Sequence, residues 1–228
     1  MTDEHLIAQA RRFAASGAQP SVPRPAATVL LLRPPLEVYL IRRAPTMAFA
    51  AGMYAFPGGT VDPRDTDIAC AAVREVFEET GVLLAGASPT EVVADVSTVD
   101  WEEARRAVEA RELGFAELLR QRGLVLRADL LVPWSRWITP EFEPRRYDTW
   151  FFLARLPLGQ RTRHIEGEAS HALWSPPGLA AGLPMLPPTR VTLAQLAAYR
   201  TVDEAWNAAA DRDLTPVRPR VVNDRLLY

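Results

Sequence analysis

Three carboxylates fall at i, i+3 and i+4 in the run Arg74-Glu75-Val76-Phe77-Glu78-Glu79-Thr80-Gly81-Val82. If the run is helical, Glu75, Glu78 and Glu79 share roughly one face. Ile68, Ala72, Val76 and Phe77 then fall largely on the other side and are expected in the core. Like charges crowded in this way repel unless something cationic sits among them. A pair between Arg74 and Glu78, at i, i+4, offsets part of that repulsion. The remainder suits a hard divalent cation, because Mg²⁺ and Mn²⁺ prefer clusters of oxygen ligands. A solvated, Glu-rich helix face is the plain alternative for any Glu-Glu pair. The elements that must position the cluster are legible on either side. Asp67 is a suitable N-cap and Gly81 a suitable stop, which predicts a helix between them. Ahead of it lies Gly58-Gly59, where the backbone turns sharply and a carbonyl can approach a metal with no side chain intervening.

The whole string from Gly58 to Val82 resembles the Nudix box, written as Gly, five residues, Glu, seven residues, Arg-Glu-apolar-x-Glu-Glu-x-Gly-apolar. The second half matches at every defined position. The first half departs. Thr66 occupies the position eight before Arg74 where the family's first Glu belongs, and the spacing from Gly59 is one residue too long. Asp62, Asp65 and Asp67 are the candidates to replace that carboxylate. The resemblance implies an α/β fold, an α/β/α sandwich with a mixed sheet. It implies Glu75, Glu78 and Glu79 as metal ligands, completed by a carbonyl at Gly58 or Gly59, with Mg²⁺ or Mn²⁺ bound. Arg74 would orient the cluster through its ion pair, and Glu75 and Glu78 would act in catalysis. An acidic loop ahead of a Trp- and Pro-bearing strand commonly supplies a further ligand or the general base in this family. Here Glu166 and Glu168 fill that place, with His164 and His171 nearby to move protons near neutrality.

Composition narrows the field. With 228 residues the chain is long enough for one sizeable core and short for two ordinary domains, so residues 1–228 are expected to form one unit. A net charge of −2 gives no basic footprint, which argues against nucleic acid as a partner. All 26 cationic residues are Arg, a signature of GC-rich coding to which no function attaches. The single Cys70 excludes an internal disulfide, fits a reducing compartment and reads as a small buried hydrophobe. No apolar run is long enough to span a bilayer and the N-terminus lacks a signal-type apolar segment, so no membrane association and a cytoplasmic home are expected.

Along the chain, residues 1–20 have the spacing of a short amphipathic helix (Leu6, Ile7, Ala10, Phe13). Ala26–Leu32 and Glu37–Arg42 read as paired strands around the turn signal Arg33-Pro34-Pro35. Residues 89–123 carry helical periodicity through Trp101, Ala104, Val108, Leu113, Phe115, Leu118 and Leu119, and read as a helical insertion after the box. It would shape a substrate cleft, take part in a dimer contact, or simply cover the core. Thr149–Leu156 is a central strand, apolar throughout, and two closing helices are expected over Val191–Tyr199 and Val202–Ala210.

Two further stretches bear on substrate. Arg42, Arg43, Ala44, Met47, Gly52 and Phe56-Pro57-Gly58-Gly59 resemble a degenerate form of the signature that precedes the box in coenzyme A diphosphatases. The segment from Trp137-Ile138-Thr139-Pro140-Glu141 to Pro144-Arg145-Arg146-Tyr147-Asp148-Thr149-Trp150-Phe151-Phe152 is similar to the Nudix branch typified by the animal peroxisomal coenzyme A and acyl-CoA diphosphatase. The tail resembles no peroxisomal address, which favours a bacterial-type cytosolic member. Arg42, Arg43, Arg145 and Arg146 are thus the candidate phosphate-holding residues, because a guanidinium fork takes phosphate oxygens bidentately. Pairing of Arg145 or Arg146 with Glu141, Glu143 or Asp148 is the competing role. The resemblance implies a small-molecule nucleotide substrate, coenzyme A or acyl-CoA before ADP-ribose or NADH, and a homodimer as the candidate assembly. A catalytically silent nucleotide-binding regulator on the same domain is the reading from another class.

Overall fold

The computed structural model describes residues 3–45, 50–163, 165 and 169–228. The chain begins with helix α1 (Asp3–Ser16) and a hairpin, β1 (Arg24–Arg33) and β2 (Glu37–Arg43), followed by two short strands, β3 (Tyr54–Ala55) and β4 (Gly58–Thr60). Helix α2 (Ile68–Thr80) comes next. Strand β5 (Ala85–Gly86), helices α3 (Val99–Glu109) and α4 (Phe115–Gln121) and strand β6 (Val125–Leu126) form the insertion. Strands β7 (Val132–Ile138), β8 (Tyr147–Arg155) and β9 (Ala169–Ser175) complete the main sheet. Helices α5 (Pro177–Ala180), α6 (Pro187–Leu196) and α7 (Val202–Ala208) follow, then the hairpin β10 (Arg220–Val222) and β11 (Arg225–Leu227).

The main sheet is mixed, in the order β3-β2-β1-β8-β7, with β4 on β1 and β9 on β2. Its one parallel pair, β1 with β8, runs in unbroken register from Arg24↔Tyr147 to Leu32↔Arg155. Because side chains alternate across a strand, β1 feeds two cores. Ala27, Val29 and Leu31 meet Val73, Val76 and Phe77 of α2. Leu30 and Leu32 meet Trp134 and the closing helices through Leu193, Leu196 and Ala205. This is the mixed-sheet α/β layering expected from the sequence.

The element ends follow their local chemistry. The Asp67 side chain accepts from the Cys70 N–H, and Gly81 stops α2 at φ 70, donating its N–H to the Phe77 carbonyl. The insertion turns helical only at Val99, ten residues later than its periodicity suggests. Residues ahead of it form turns instead: the Glu91 N–H donates to the Ser88 carbonyl, the Val93 N–H to the Ala85 carbonyl, and the Ser97 N–H to the Asp95 carboxylate. Helix α6 starts at Pro187 rather than Val191, since a proline in the first turn lacks only an N–H that would have no partner there. The β10–β11 hairpin was not expected. Its turn residues Asn223 and Asp224 sit at φ 48 and 58, which these residue types tolerate.

Trp101 and Phe115 of the insertion pack on Phe77 at ring-centroid distances of 6.2 and 6.1 Å, so the insertion is seated on the back of the box helix. Phe77→Ala should therefore cost about 3–5 kcal/mol, read as a lower urea midpoint with unchanged slope. A loss below about 1 kcal/mol would mean that the insertion is not anchored there.

Candidate active site

Helix α2 presents Arg74, Glu75, Glu78 and Glu79 toward the edge where β4 pairs with β1. The Arg74 guanidinium is the hub. Its Nε and Nη2 grip the Asp65 carboxylate (3.0 Å to Oδ1 and 3.0 Å to Oδ2). Nη1 donates to Glu75 Oε1 at 2.8 Å and to Glu78 Oε1 at 3.1 Å. Nη2 also donates to the Thr60 carbonyl at 2.8 Å. Every N–H of the fork is thus directed at an oxygen. Burial pushes the guanidinium pKa down, but the bond to Asp65 and the charges of Glu75 and Glu78 more than offset it, and the group sits above the ordinary arginine range. Arg74 is a fixed cation.

Of the three aspartates that could replace the family's first Glu, Asp65 is the one that meets Arg74. Its side chain is only 2% exposed and also receives the Cys70 thiol at 3.6 Å. Asp67 is the helix cap, and Asp62 is paired with Arg64. Cys70 is buried as expected, and burial raises its thiol pKa. The spacing from Gly59 to Asp65 retains the five intervening residues of the box. The extra residue is absorbed between Asp65 and the cap, outside the helix.

The glycine pair has a steric cause. Gly58 sits at φ 157, and a Cβ there would fall on the Ala27 carbonyl and Thr28. A Cβ on Gly59 would stand 2.5 Å from Glu75 Oε1. The Gly58 N–H donates to Glu79 Oε2 at 2.7 Å, drawing that carboxylate back against the β-strand. Glu75 and Glu79 are both buried rather than solvated, so the bland surface-helix alternative does not hold. Among the described residues, however, no three acidic, His or Cys side chains close on one point. The reason is visible: Glu75 and Glu78 share Arg74, while Glu79 is turned to Gly58. The donor set still fits a hard cation in kind, since Arg74 Nη1 holds the carboxylates of Glu75 and Glu78 side by side and no side chain stands between the Gly59 backbone and Glu75.

Glu75 and Glu78 open onto a cavity of about 450 Å³. Thr28, Thr149 and Phe151 line it from the sheet, Leu186 and Pro187 from the start of α6, and Leu226 and Tyr228 from β11 and the residue after it. Among the four candidate phosphate-holding arginines, Arg43 lines this cavity. Arg42 is exposed, with its Nε on the Gly52 carbonyl at 3.2 Å, and Arg145 is exposed. Arg146 is buried and committed to structure, donating to the Thr139 carbonyl at 3.1 Å and the Ser21 carbonyl at 2.7 Å. Arg146, expected to meet substrate, is thus held by backbone carbonyls. Asp148, one of the three acids expected as its alternative partners, is paired with Arg136. His171 is exposed on β9 opposite Arg42. Glu166, Glu168, His164 and Met47 lie outside the described residues.

Asp65→Asn leaves the buried Arg74 short of a charged partner and should cost about 3 kcal/mol or more in urea unfolding. Thr66→Ala, at the position where the family's spacing would put the carboxylate, should stay within about 0.5 kcal/mol. The reverse order would return the role to Thr66.

The profile of the NUDT19 Nudix domain matches residues 62–183. Nudix hydrolase 7 of Caenorhabditis elegans is 30% identical over 181 residues, covering 73% of this chain and 57% of that protein. The acyl-coenzyme A diphosphatase NUDT19 of Gallus gallus is 29% identical over 180 residues, covering 69% and 48%. The chain therefore spans about half the length of these two relatives. A crystal structure of a Nudix hydrolase from Alicyclobacillus acidocaldarius superposes with a TM-score of 0.66 at 30% identity, covering 82% of this chain and 96% of that one. Nudix enzymes act on small-molecule nucleotides and generally use divalent metal ions. No helix among the described residues is long and apolar enough to cross a membrane. With the box helix, its arginine hub and the profile match in agreement, the chain belongs to the Nudix family in its NUDT19 form.

Proposed function

We propose that the protein hydrolyses the pyrophosphate bond of coenzyme A or acyl-CoA, giving 3′,5′-ADP and 4′-phosphopantetheine or its acyl form. The observation that carries this reading is the pair Glu75 and Glu78, clamped on Arg74 and opening into a cavity far larger than a diphosphate needs. The similarity to the acyl-coenzyme A diphosphatase of Gallus gallus supports the choice of substrate.

Water attacks one phosphorus of the diphosphate, the bridging P–O bond breaks, and the departing phosphate takes the electron pair. Attack at either phosphorus gives the same two products. Glu75, Glu78 and Glu79, with a carbonyl at Gly58 or Gly59, would hold Mg²⁺ or Mn²⁺. When bound, such ions neutralise the diphosphate and lower the pKa of a bound water. Arg74 holds the carboxylates of Glu75 and Glu78 in register, and Glu79 takes its direction from the Gly58 N–H. Glu166 or Glu168 would accept the proton of the attacking water. Arg43, on the cavity wall, would meet substrate phosphate. Without cations the carboxylates repel the substrate; with them the site attracts it.

The test is incubation with Mg²⁺ or Mn²⁺ and CoA, acetyl-CoA, a long-chain acyl-CoA, NADH and ADP-ribose, with products read by chromatography. Release of 3′,5′-ADP with NADH untouched is the expected result. AMP from NADH or ADP-ribose would replace it with a dinucleotide diphosphatase, and binding without turnover would mark a regulator. Glu78→Gln should lower kcat about a hundredfold or more at an unaltered circular dichroism spectrum. A variant with wild-type turnover would remove Glu78 from the site.

A further inference from the structure

The insertion side of the cavity carries a charged group that the diphosphate chemistry leaves unused. Arg64, from the loop between β4 and α2, and Arg111, from the corner between α3 and α4, both line the cavity. Asp62 lies beneath them, buried at 9% exposure. Arg64 grips it bidentately, Nε to Oδ1 at 2.9 Å and Nη2 to Oδ2 at 3.2 Å, and Arg111 Nη1 stands 3.9 Å from Oδ2. The side-chain bond from Arg64, seconded by its backbone N–H, holds the Asp62 carboxyl down at about 2, so it is ionised at any working pH. Two guanidiniums over one carboxylate leave a positive charge in excess. Glu109, the neighbouring acid on this wall, is paired with Arg105 at 2.8 Å.

Arg111 is the informative member. Its backbone is left-handed, at φ 61, a conformation that suits glycine and burdens a residue with a side chain. The corner is fixed there, with the Arg111 N–H on the Val108 carbonyl at 2.9 Å and Arg64 Nη1 on the Arg111 carbonyl at 3.1 Å. Packing does not account for the arginine, since its side chain is 72% exposed. The arginine thus sits at a φ that favours glycine with no packing reason for its side chain.

We propose that Arg111, backed by Arg64, holds a phosphomonoester on the nucleotide half of the substrate, which for coenzyme A is the 3′-phosphate of the ribose. The helical insertion would then read the group that separates coenzyme A from its dephospho form. The proposal rests on the nucleotide-diphosphate reading above. A terminal phosphate offers two oxygens to a guanidinium fork and needs no metal to be attracted to the locally positive group of Arg64, Arg111 and Asp62.

Calorimetric titration with 3′,5′-ADP and with 5′-AMP, in the presence of Mg²⁺, tests it on wild type, Arg111→Gly and Arg111→Lys. Wild type should prefer 3′,5′-ADP by about tenfold, as one charge-assisted contact allows, and Arg111→Gly should shrink the preference below about twofold. Glycine suits φ 61, so this variant should melt no lower than wild type, whereas a purely structural Arg111 would show a lower melting temperature and an intact preference. Arg111→Lys should retain part of the preference. Equal or unmeasurable binding of the two nucleotides by wild type, or a preference surviving in Arg111→Gly, overturns the proposal. An Arg111-dependent preference in a protein that leaves coenzyme A uncleaved would keep this subsite and sink the substrate assignment.

Discussion

The site depends on one buried guanidinium. Arg74 is surrounded by the carboxylates of Asp65, Glu75 and Glu78 and by the Thr60 carbonyl, and it has no N–H left over. Removing such a charge from water is expensive, and replacing buried ion pairs by apolar groups often stabilises a protein. What the arrangement provides is position. Three acidic groups from two segments are indexed to one rigid planar fork, which an apolar core could not specify. A lysine would offer a point charge and lose that indexing.

From this constraint much of the surrounding backbone follows. The Thr60 carbonyl must reach Arg74, so β4 must run close to α2, and its pairing with β1 from Ala26↔Thr60 to Thr28↔Gly58 holds it there. That closeness leaves no room for side chains at Gly58 and Gly59, whose added Cβ atoms would meet β1 on one side and the Glu75 carboxylate on the other. The same Gly58 then supplies the N–H that turns Glu79. Phe77, on the opposite face of the helix, is covered by Trp101 and Phe115, so the insertion fixes the rotation of α2 about its axis. Acidic cluster and insertion are two sides of one helix setting.

Much of this was legible in the sequence because it is local. Asp67, Gly81 and the i, i+4 Arg74–Glu78 pair are short-range features, and the structure has each of them. The identity of Asp65 was not, because spacing counted back from Arg74 points to Thr66 while spacing counted forward from Gly59 points to Asp65. Only the path of the chain ahead of the cap decides between the two counts. Burial of Glu75 and Glu79 was also hidden, since helical periodicity sees one element and not the strand that covers it. The partners of Arg146 are hidden for a related reason: beside its nearby bond to the Thr139 carbonyl, it donates to the Ser21 carbonyl, 125 residues away in sequence. The β10–β11 hairpin carried its signal in Asn223-Asp224, two residues that favour a left-handed turn, between strands too short to stand out.

The cavity joins surfaces of opposite character, and α1 and β11, far apart in sequence, both contribute to its lining. Glu75 and Glu78 of the box line it together with the apolar Leu6, Trp137, Leu186 and Leu226. Leu6 comes from α1, and Leu226 from β11. These two elements are tied together by the Arg11–Asp224 pair at 2.5 Å and to the sheet by the Trp137–Tyr228 contact at 5.8 Å. The exposed ion pair adds little energy, so the apolar contacts must hold the wall. A diphosphate alone would need no such wall. A substrate with an anionic centre and a long, largely uncharged arm would use it, and a pantetheine or acyl-pantetheine chain has that shape and polarity. The acidic cluster would set the chemistry, while the terminal elements, far from the box in sequence, would set how much of the substrate is covered.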